Sequence, residues 1–159
     1  MRIYVPTTVA GLAALHSTGR LAPAPLLAHA VTSAVRLSWT GGDDEELEYA
    51  VLMAAAFDSL TLIAATSGEP RRVVVVAEVE DADVSATGDE TEVSVAVEVP
   101  LSRCTAVHVD DVEAESQVVA ALGRLPDAVA GDERALAAVS LVEHELLWFA
   151  TQEIPDLLG

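Results

Sequence analysis

The sequence predicts an α+β fold in which one mixed β-sheet of about five strands carries helices packed on it. Four consecutive valines at 73–76 are typical of a strand covered on both faces. Residues 92–99 alternate polar and apolar side chains, the pattern of a strand with one face in water. Residues 43–61 place apolar side chains three and four apart, as an amphipathic helix does. A mixed α/β sandwich is the alternative arrangement.

Length and composition favour a single globular domain spanning residues 1–159. A chain of 159 residues fits one core, since single cores commonly hold about 100 to 200 residues. Hydrophobic residues make up 52% of the chain, far from the composition of disordered proteins. The sequence contains no internal repeat and no low-complexity linker.

The first two elements are a strand and a short helix. Residues 2–6 are rich in β-formers and end at a proline. Thr7 or Thr8 can then cap a helix over residues 9–16, and Gly19 ends that helix. Because polar residues and Pro6 interrupt this stretch, we expect no secretory signal peptide.

A second strand and the clearest helix follow. Two prolines within residues 21–25 oppose a helix, and residues 26–32 predict the second strand. After two glycines, the acidic residues 43–46 begin a helix that continues to about residue 61. Their carboxylates complement the positive end of the helix dipole. We therefore interpret the acidic run as a helix start and not as a metal site.

Three strands are predicted in the middle of the chain, at residues 71–79, 92–99 and 104–109. The valine run places the first of them at the centre of the sheet. The polar, glycine-containing segment 81–90 is expected to be a mobile loop. Cys104 begins the third strand, and we interpret it as a small buried hydrophobe and not as a reactive thiol.

The C-terminal third is expected to be helical. Apolar residues from Val112 to Leu122 suit one helix, which Gly123 and Pro126 would end. Residues 131–134 begin a further helix.

The segment EHELLWFATQE at 143–153 is one histidine short of a zinc-protease helix. The HExxH signature needs two histidines one turn apart and a glutamate that activates water. His144 and Glu145 match it, but Trp148 occupies the place of the second histidine and cannot bind zinc. We interpret the segment as a helix whose apolar surface, including Phe149, is buried against the sheet.

A second candidate site lies at the end of the third of these strands. His108, Asp110 and Asp111 stand where a strand meets a helix, and functional sites often gather at strand ends. The alternative is that Asp110 or Asp111 caps the following helix, and we favour capping. His16 and His29 have no carboxylate neighbours in sequence and are expected to be ordinary surface or core histidines.

Charge and residue usage argue against several classes of function. Eight arginines and no lysine stand against 26 acidic residues, so the net charge of −18 repels polyanions. We expect neither nucleic acid nor membrane as a partner, and we find no run of about 20 apolar residues. The absence of lysine excludes Schiff-base chemistry, and no phosphate loop or nucleophile elbow is present. No cofactor or metal is expected. A single cysteine favours the reducing cytoplasm.

Five blocks of sequence together suggest a family. They are RIYVP at 2–6, HAVTSAVR at 29–36, DDEELEYAVLMAAA at 43–56, VPLSRCTAVHVDD at 99–111 and EHELLWFATQE at 143–153. In these blocks the chain resembles a family of small actinobacterial proteins. That family is uncharacterised and is classed as a domain of unknown function. The resemblance spans nearly the whole chain. It implies no activity and assigns no catalytic residue.

Two hypotheses of function follow. The favoured one is a cytosolic, non-enzymatic interaction or regulatory domain that binds a protein partner or self-associates through an exposed strand or an apolar helix face. Its interface candidates are the large aromatic residues Trp39, Tyr49, Trp148 and Phe149.

The rival hypothesis is a metal-dependent hydrolase or small-ligand binder at 108–111 and 143–153. Its candidate residues are His108, Asp110, Asp111, His144 and Glu145, with Glu143 or Glu153 as further ligands. It requires segment 143–153 to fold back beside the strand end at 108–111.

Overall fold

The computed structural model describes residues 1–140 and 144–159, and the fold is α+β, as the sequence predicts. The strands are β1 (Arg2–Thr7), β2 (Arg20–Leu21), β3 (Leu26–His29), β4 (Val73–Glu78), β5 (Val84–Ala86), β6 (Glu92–Val95), β7 (Val99–Pro100), β8 (Cys104–Val109) and β9 (Leu147–Phe149). The helices are α1 (Val9–Thr18), α2 (Ser33–Ser38), α3 (Asp44–Thr66), α4 (Glu115–Val129), α5 (Glu133–Val139) and α6 (Ile154–Leu157).

The main sheet is larger than predicted. Seven strands lie in the order β5-β6-β3-β1-β4-β8-β9, and every strand pair in the described part of the chain is antiparallel, where about five strands in a mixed sheet were expected. The strands β2 and β7 form a separate two-stranded sheet. The prediction missed β5 and β9, each three residues long, because so short a strand shows no apolar period of its own.

The valine strand β4 lies in the interior of the sheet and is buried on both faces, which confirms its prediction. Val73 and Val75 join the core cluster that includes α1 and Ile154 of α6. Val74 and Val76 join a second cluster with Val51, Ala55 and Ala56 of α3. Alternate side chains of one strand thus meet different helices, and α3 covers one face while α1 and α6 cover the other.

The predicted starts of both helices in the first half of the chain and the end of α1 are confirmed, whereas α3 continues to Thr66, past its predicted end near residue 61. The Thr8 hydroxyl accepts a hydrogen bond from the Gly11 amide at 3.1 Å and caps α1. Gly19 ends that helix with a left-handed φ of 80°. Asp43 caps α3 by accepting from the Glu46 amide at 2.8 Å. By length and composition α3 could cross a bilayer, and here one of its faces is buried against the sheet.

Four further features differ from the prediction. The second strand ends at His29, and the alternating strand ends at Val95 because residues 99–100 pair with β2 instead. The segment 81–90 contains a 3₁₀ turn and β5 where a loop was predicted. Helix α4 continues through Gly123 and Pro126 to Val129.

Tertiary burial explains why α4 does not end at its glycine and proline. Proline inside a helix costs about 3 kcal/mol. Leu125 and Ala128 lie beyond Gly123 and are buried with Leu60 of α3 in one cluster, and burying the leucine alone contributes about 1.5 to 3 kcal/mol. These burials offset much of the cost.

Candidate functional site

Asp110 lies at the predicted strand end, where it forms a sealed ion pair and does not cap a helix. Residues Val73 and Val109 pair directly in the sheet, so Arg72 and Asp110 come together one position beyond them. The Asp110 carboxylate accepts from Arg72 Nε, Nη2 and backbone N, each at 2.8 Å. Both side chains are buried. Such bidentate pairing occupies the carboxylate, so Asp110 is a structural counter-ion.

Further hydrogen bonds hold the Arg72–Asp110 pair in place. Arg71 donates from Nε and Nη2 to the Asp110 carbonyl oxygen at 3.2 Å. Arg72 Nη2 also donates to the His144 carbonyl oxygen at 3.1 Å. The C-terminal segment therefore does fold back beside the strand end, but it meets the guanidinium through its backbone.

Asp111 is the helix-capping residue of the two candidates. Its carboxylate accepts from the Glu113 amide at 3.3 Å and caps the 3₁₀ turn Val112–Ala114 that precedes α4. The favoured capping interpretation is confirmed at Asp111 and is wrong at Asp110.

His108 lies within β8, between Val74 of β4 and Trp148 of β9. Its Nδ1 is buried and has no hydrogen-bond partner in the described part of the chain. Burial lowers the pKa of the imidazole, so the ring is neutral at neutral pH. A neutral ring facing Trp148 is a packing residue with one unpaired nitrogen.

The predicted candidates within residues 1–140 and 144–159 do not assemble a metal site. Outside residues 141–143, no three His, Cys, Asp or Glu side chains are grouped so that they could hold an ion. Glu145 is exposed, and Glu143 lies outside the described residues. Glu153 instead accepts from the Ala150 amide at 2.8 Å. Cys104 is buried as predicted, and burial raises the pKa of its thiol to about 11, so the thiol stays protonated at neutral pH.

Residues 144–153, the described part of the segment, are not the buried helix that the sequence predicts. Its residues 147–149 form β9, which extends the sheet antiparallel to β8. Phe149 packs on the core cluster on the α1 face, whereas Leu147 is 43% and Trp148 61% exposed. The apolar residues of this segment are spaced as in a helix, but the segment forms a strand because it pairs with β8. The strand β8 lies 38 or more residues earlier in the chain.

The other two interface candidates are exposed as well. Trp39 follows α2 and is 46% exposed, and Tyr49 on α3 is 51% exposed. Both tryptophans of the chain are therefore at the surface. The three exposed aromatics lie on three different elements, and only Trp148 lies on a strand.

A polar network that the sequence analysis missed surrounds His29. This buried histidine ends β3, and its Nε2 lies 2.5 Å from Asp58 Oδ2 on α3. Its Nδ1 lies 2.8 Å from the Thr91 hydroxyl. The Thr91 amide in turn donates to Asp89 Oδ1 at 3.1 Å. An ionised carboxylate only accepts hydrogen bonds, so His29 Nε2 carries the proton toward Asp58.

Asp58 connects this network to an open groove of about 480 Å³ between α3 and residues 21–27. Its side chain is 38% exposed and lines the groove together with Glu92 of β6. The sequence signal for the site is that Asp58 is the only charged residue between Glu48 and Glu69.

Comparison with known proteins identifies a family that matches the chain but assigns no activity. The model of the DUF6912 family, described as a family of unknown function, matches residues 1–158. No curated protein and no solved structure matches the chain.

Proposed function

Because the chain belongs to the DUF6912 family, whose function is unknown, we propose its function from its own surface: it is a non-enzymatic interaction domain that self-associates through β9. The observation that carries the proposal is that β9 is an edge strand with an exposed tryptophan at its centre. An unpaired strand edge offers backbone donors and acceptors to another strand.

The two edges of the sheet differ in how they are protected. The strand β5 has small side chains and is flanked by Asp81, Asp83, Asp89 and Glu90, and such charges discourage pairing with another chain. Residues 146–152, which include β9, carry no charge. The edge without protective charges is therefore the one suited to association.

A second copy of the chain fits this edge by symmetry. Two β9 strands related by a two-fold axis pair antiparallel, and an axis at Trp148 places the two indoles next to each other on one face. Aromatic neighbours of this kind contribute about 0.5 to 1.5 kcal/mol beyond the area they bury. Because only three residues per copy pair, the interface is small, and we expect a weak dimer with a Kd of about 10 μM, equivalent to about −7 kcal/mol.

The net charge opposes the association of two copies, so an uncharged strand is where they meet with the least repulsion. Two chains of charge −18 repel each other, and salt screens that repulsion. Self-association should therefore strengthen as salt is added. Binding of a basic partner to the acidic surface would weaken under the same change.

Light scattering during size-exclusion chromatography, at several protein concentrations and at low and moderate salt, tests the proposal. We expect a concentration-dependent dimer that salt strengthens and that Trp148→Ala weakens about tenfold. Trp39→Ala is the matched control, since it removes the other exposed tryptophan, and it should leave the dimer intact. A monomer at about 200 μM, or an equal loss in both variants, would contradict self-association through β9.

A further inference from the structure

We propose that the groove between α3 and residues 21–27 binds a small organic cation, an ammonium or guanidinium group on an apolar body. The groove volume of about 480 Å³ lies in the range of about 300 to 1,000 Å³ typical of small-molecule sites. The site is separate from the proposed dimer edge, because three strands lie between β3 and β9 in the sheet. The proposal therefore stands independently of self-association.

The described residues that line the groove include two carboxylates and no lysine or arginine. Asp58 projects from α3, and Glu92 is the residue that pairs with His29 across β3 and β6, so both lie beside the same histidine. Opposite charges attract strongly where water is partly excluded. The overall charge of −18 adds long-range attraction for a cation.

The His29 network holds Asp58 in one orientation. His29 Nε2 fixes Oδ2, and Oδ1 makes no hydrogen bond within residues 1–140 or 144–159. The carboxylate is thus positioned by a buried group and still keeps one oxygen for a ligand. A surface carboxylate without such support would lose side-chain entropy on binding.

The rest of the groove is mostly apolar, with Thr7 and Thr61 as the polar exceptions among the described residues. Pro23, Leu27 and Leu62 line it, and Leu27 is largely exposed although it lies within a strand. This surface fits the hydrocarbon part of a ligand whose charged group meets the carboxylates. A hydrated inorganic cation would gain nothing from that part of the groove, and so we assign an organic cation.

Titration of the ¹⁵N-labelled protein with 2-phenylethylammonium, followed by amide chemical shifts, tests the site. The uncharged analogue 2-phenylethanol has almost the same shape and serves as the ligand control. We expect saturable shifts in β3, β6 and α3 at millimolar ammonium ligand, and at least tenfold weaker binding of the alcohol. Equal binding of the two compounds, or no saturable shifts with either, would overturn the proposal.

Two variants that each remove one negative charge test whether the ligand is attracted by Asp58 itself. Asp58→Asn keeps an oxygen acceptor for His29, so the fold is preserved, and we expect about tenfold weaker ammonium binding with the alcohol unaffected. Glu45→Gln removes the same charge at the exposed start of α3 and should leave both affinities unchanged. An equal effect of the two variants would mean that the overall charge of the protein alone attracts the ligand, and it would refute a specific site at Asp58. A basic peptide that binds tightly where the ammonium compound does not would also refute the small-molecule assignment.

Discussion

The Arg72–Asp110 and His29–Asp58 pairs differ chiefly in the exposure of their carboxylates. Each joins a basic side chain at the end of a strand to an acidic one, with the basic member buried. The Asp110 side chain is 0% exposed, and that of Asp58 is 38% exposed. The sealed carboxylate makes its hydrogen bonds within the fold and no ligand can reach it, whereas the open carboxylate can still accept a hydrogen bond from a ligand. Exposure thus separates the structural pair from the candidate site.

Breaking the sealed pair should have the largest effect. Arg72→Met leaves the Asp110 charge buried without compensation, which costs about 3 to 5 kcal/mol of the free energy of unfolding. Urea denaturation followed by circular dichroism measures the loss. The double variant Arg72→Met/Asp110→Leu should regain most of it, since a buried pair replaced by apolar groups is often neutral in stability. A single variant that loses less than about 1 kcal/mol would show that water reaches the pair.

Breaking the open pair should cost less. Asp58→Ala removes the partner of the buried His29 Nε2, and an unsatisfied buried donor costs about 1 to 3 kcal/mol. Water in the groove can replace the lost oxygen, so we expect a value near 1 kcal/mol by urea denaturation. Asp58→Asn, which retains an acceptor, should be closer to wild type. A loss as large as that of Arg72→Met would remove the distinction between the two pairs.

Neither pair could be predicted from the sequence, because each depends on residues far apart in the chain. Arg72 lies 38 residues from Asp110, and His29 lies 29 residues from Asp58 and 62 from Thr91. The prediction grouped His108 with Asp110 and Asp111 because they are adjacent. His108 and Asp110 are two residues apart, but Asp110 pairs with the distant Arg72 and Asp111 caps the turn beyond the strand. Nearness in sequence is therefore poor evidence for a site.

The parts of the fold that were predicted correctly rest on local physics. The cap of α1 at Thr8 and its end at Gly19 follow from hydrogen bonding and backbone freedom within a few residues. The burial of β4 follows from its own side chains. In contrast, β9 exists only because β8 pairs with it, and α4 passes Pro126 only because its face is buried on other helices. Such long-range contacts leave no local pattern.

A third basic group, the half-buried His108, extends the comparison to a side chain that has no carboxylate partner within residues 1–140 and 144–159. Burial lowers the pKa of folded His108 below the ordinary value of about 6.5, so the unfolded chain binds a proton more readily. This contribution to stability is complete above pH 6.5 and is lost as the pH falls toward the lower pKa of the folded state. The stability advantage of wild type over His108→Gln should therefore shrink between pH 7 and pH 5.

Urea denaturation of wild type and His108→Gln at several pH values measures this effect. A stability difference for His108→Gln that grows on acidification would mean that the folded protein favours the charged imidazole, contrary to its burial.

The exposed ion pairs complete the series with the smallest expected effect. Arg20 Nη1 lies 3.4 Å from Glu98 Oε1, but both side chains are largely in water, at 58% and 42% exposed. Water screens the attraction, and holding two long side chains in one geometry costs entropy, so such pairs contribute about 0 to 1 kcal/mol. Arg20→Gln should change the free energy of unfolding by less than about 0.5 kcal/mol, and 0.5 M NaCl should remove even that difference. A loss comparable to that of Arg72→Met would mean that burial of the carboxylate does not set the strength of ion pairs in this protein.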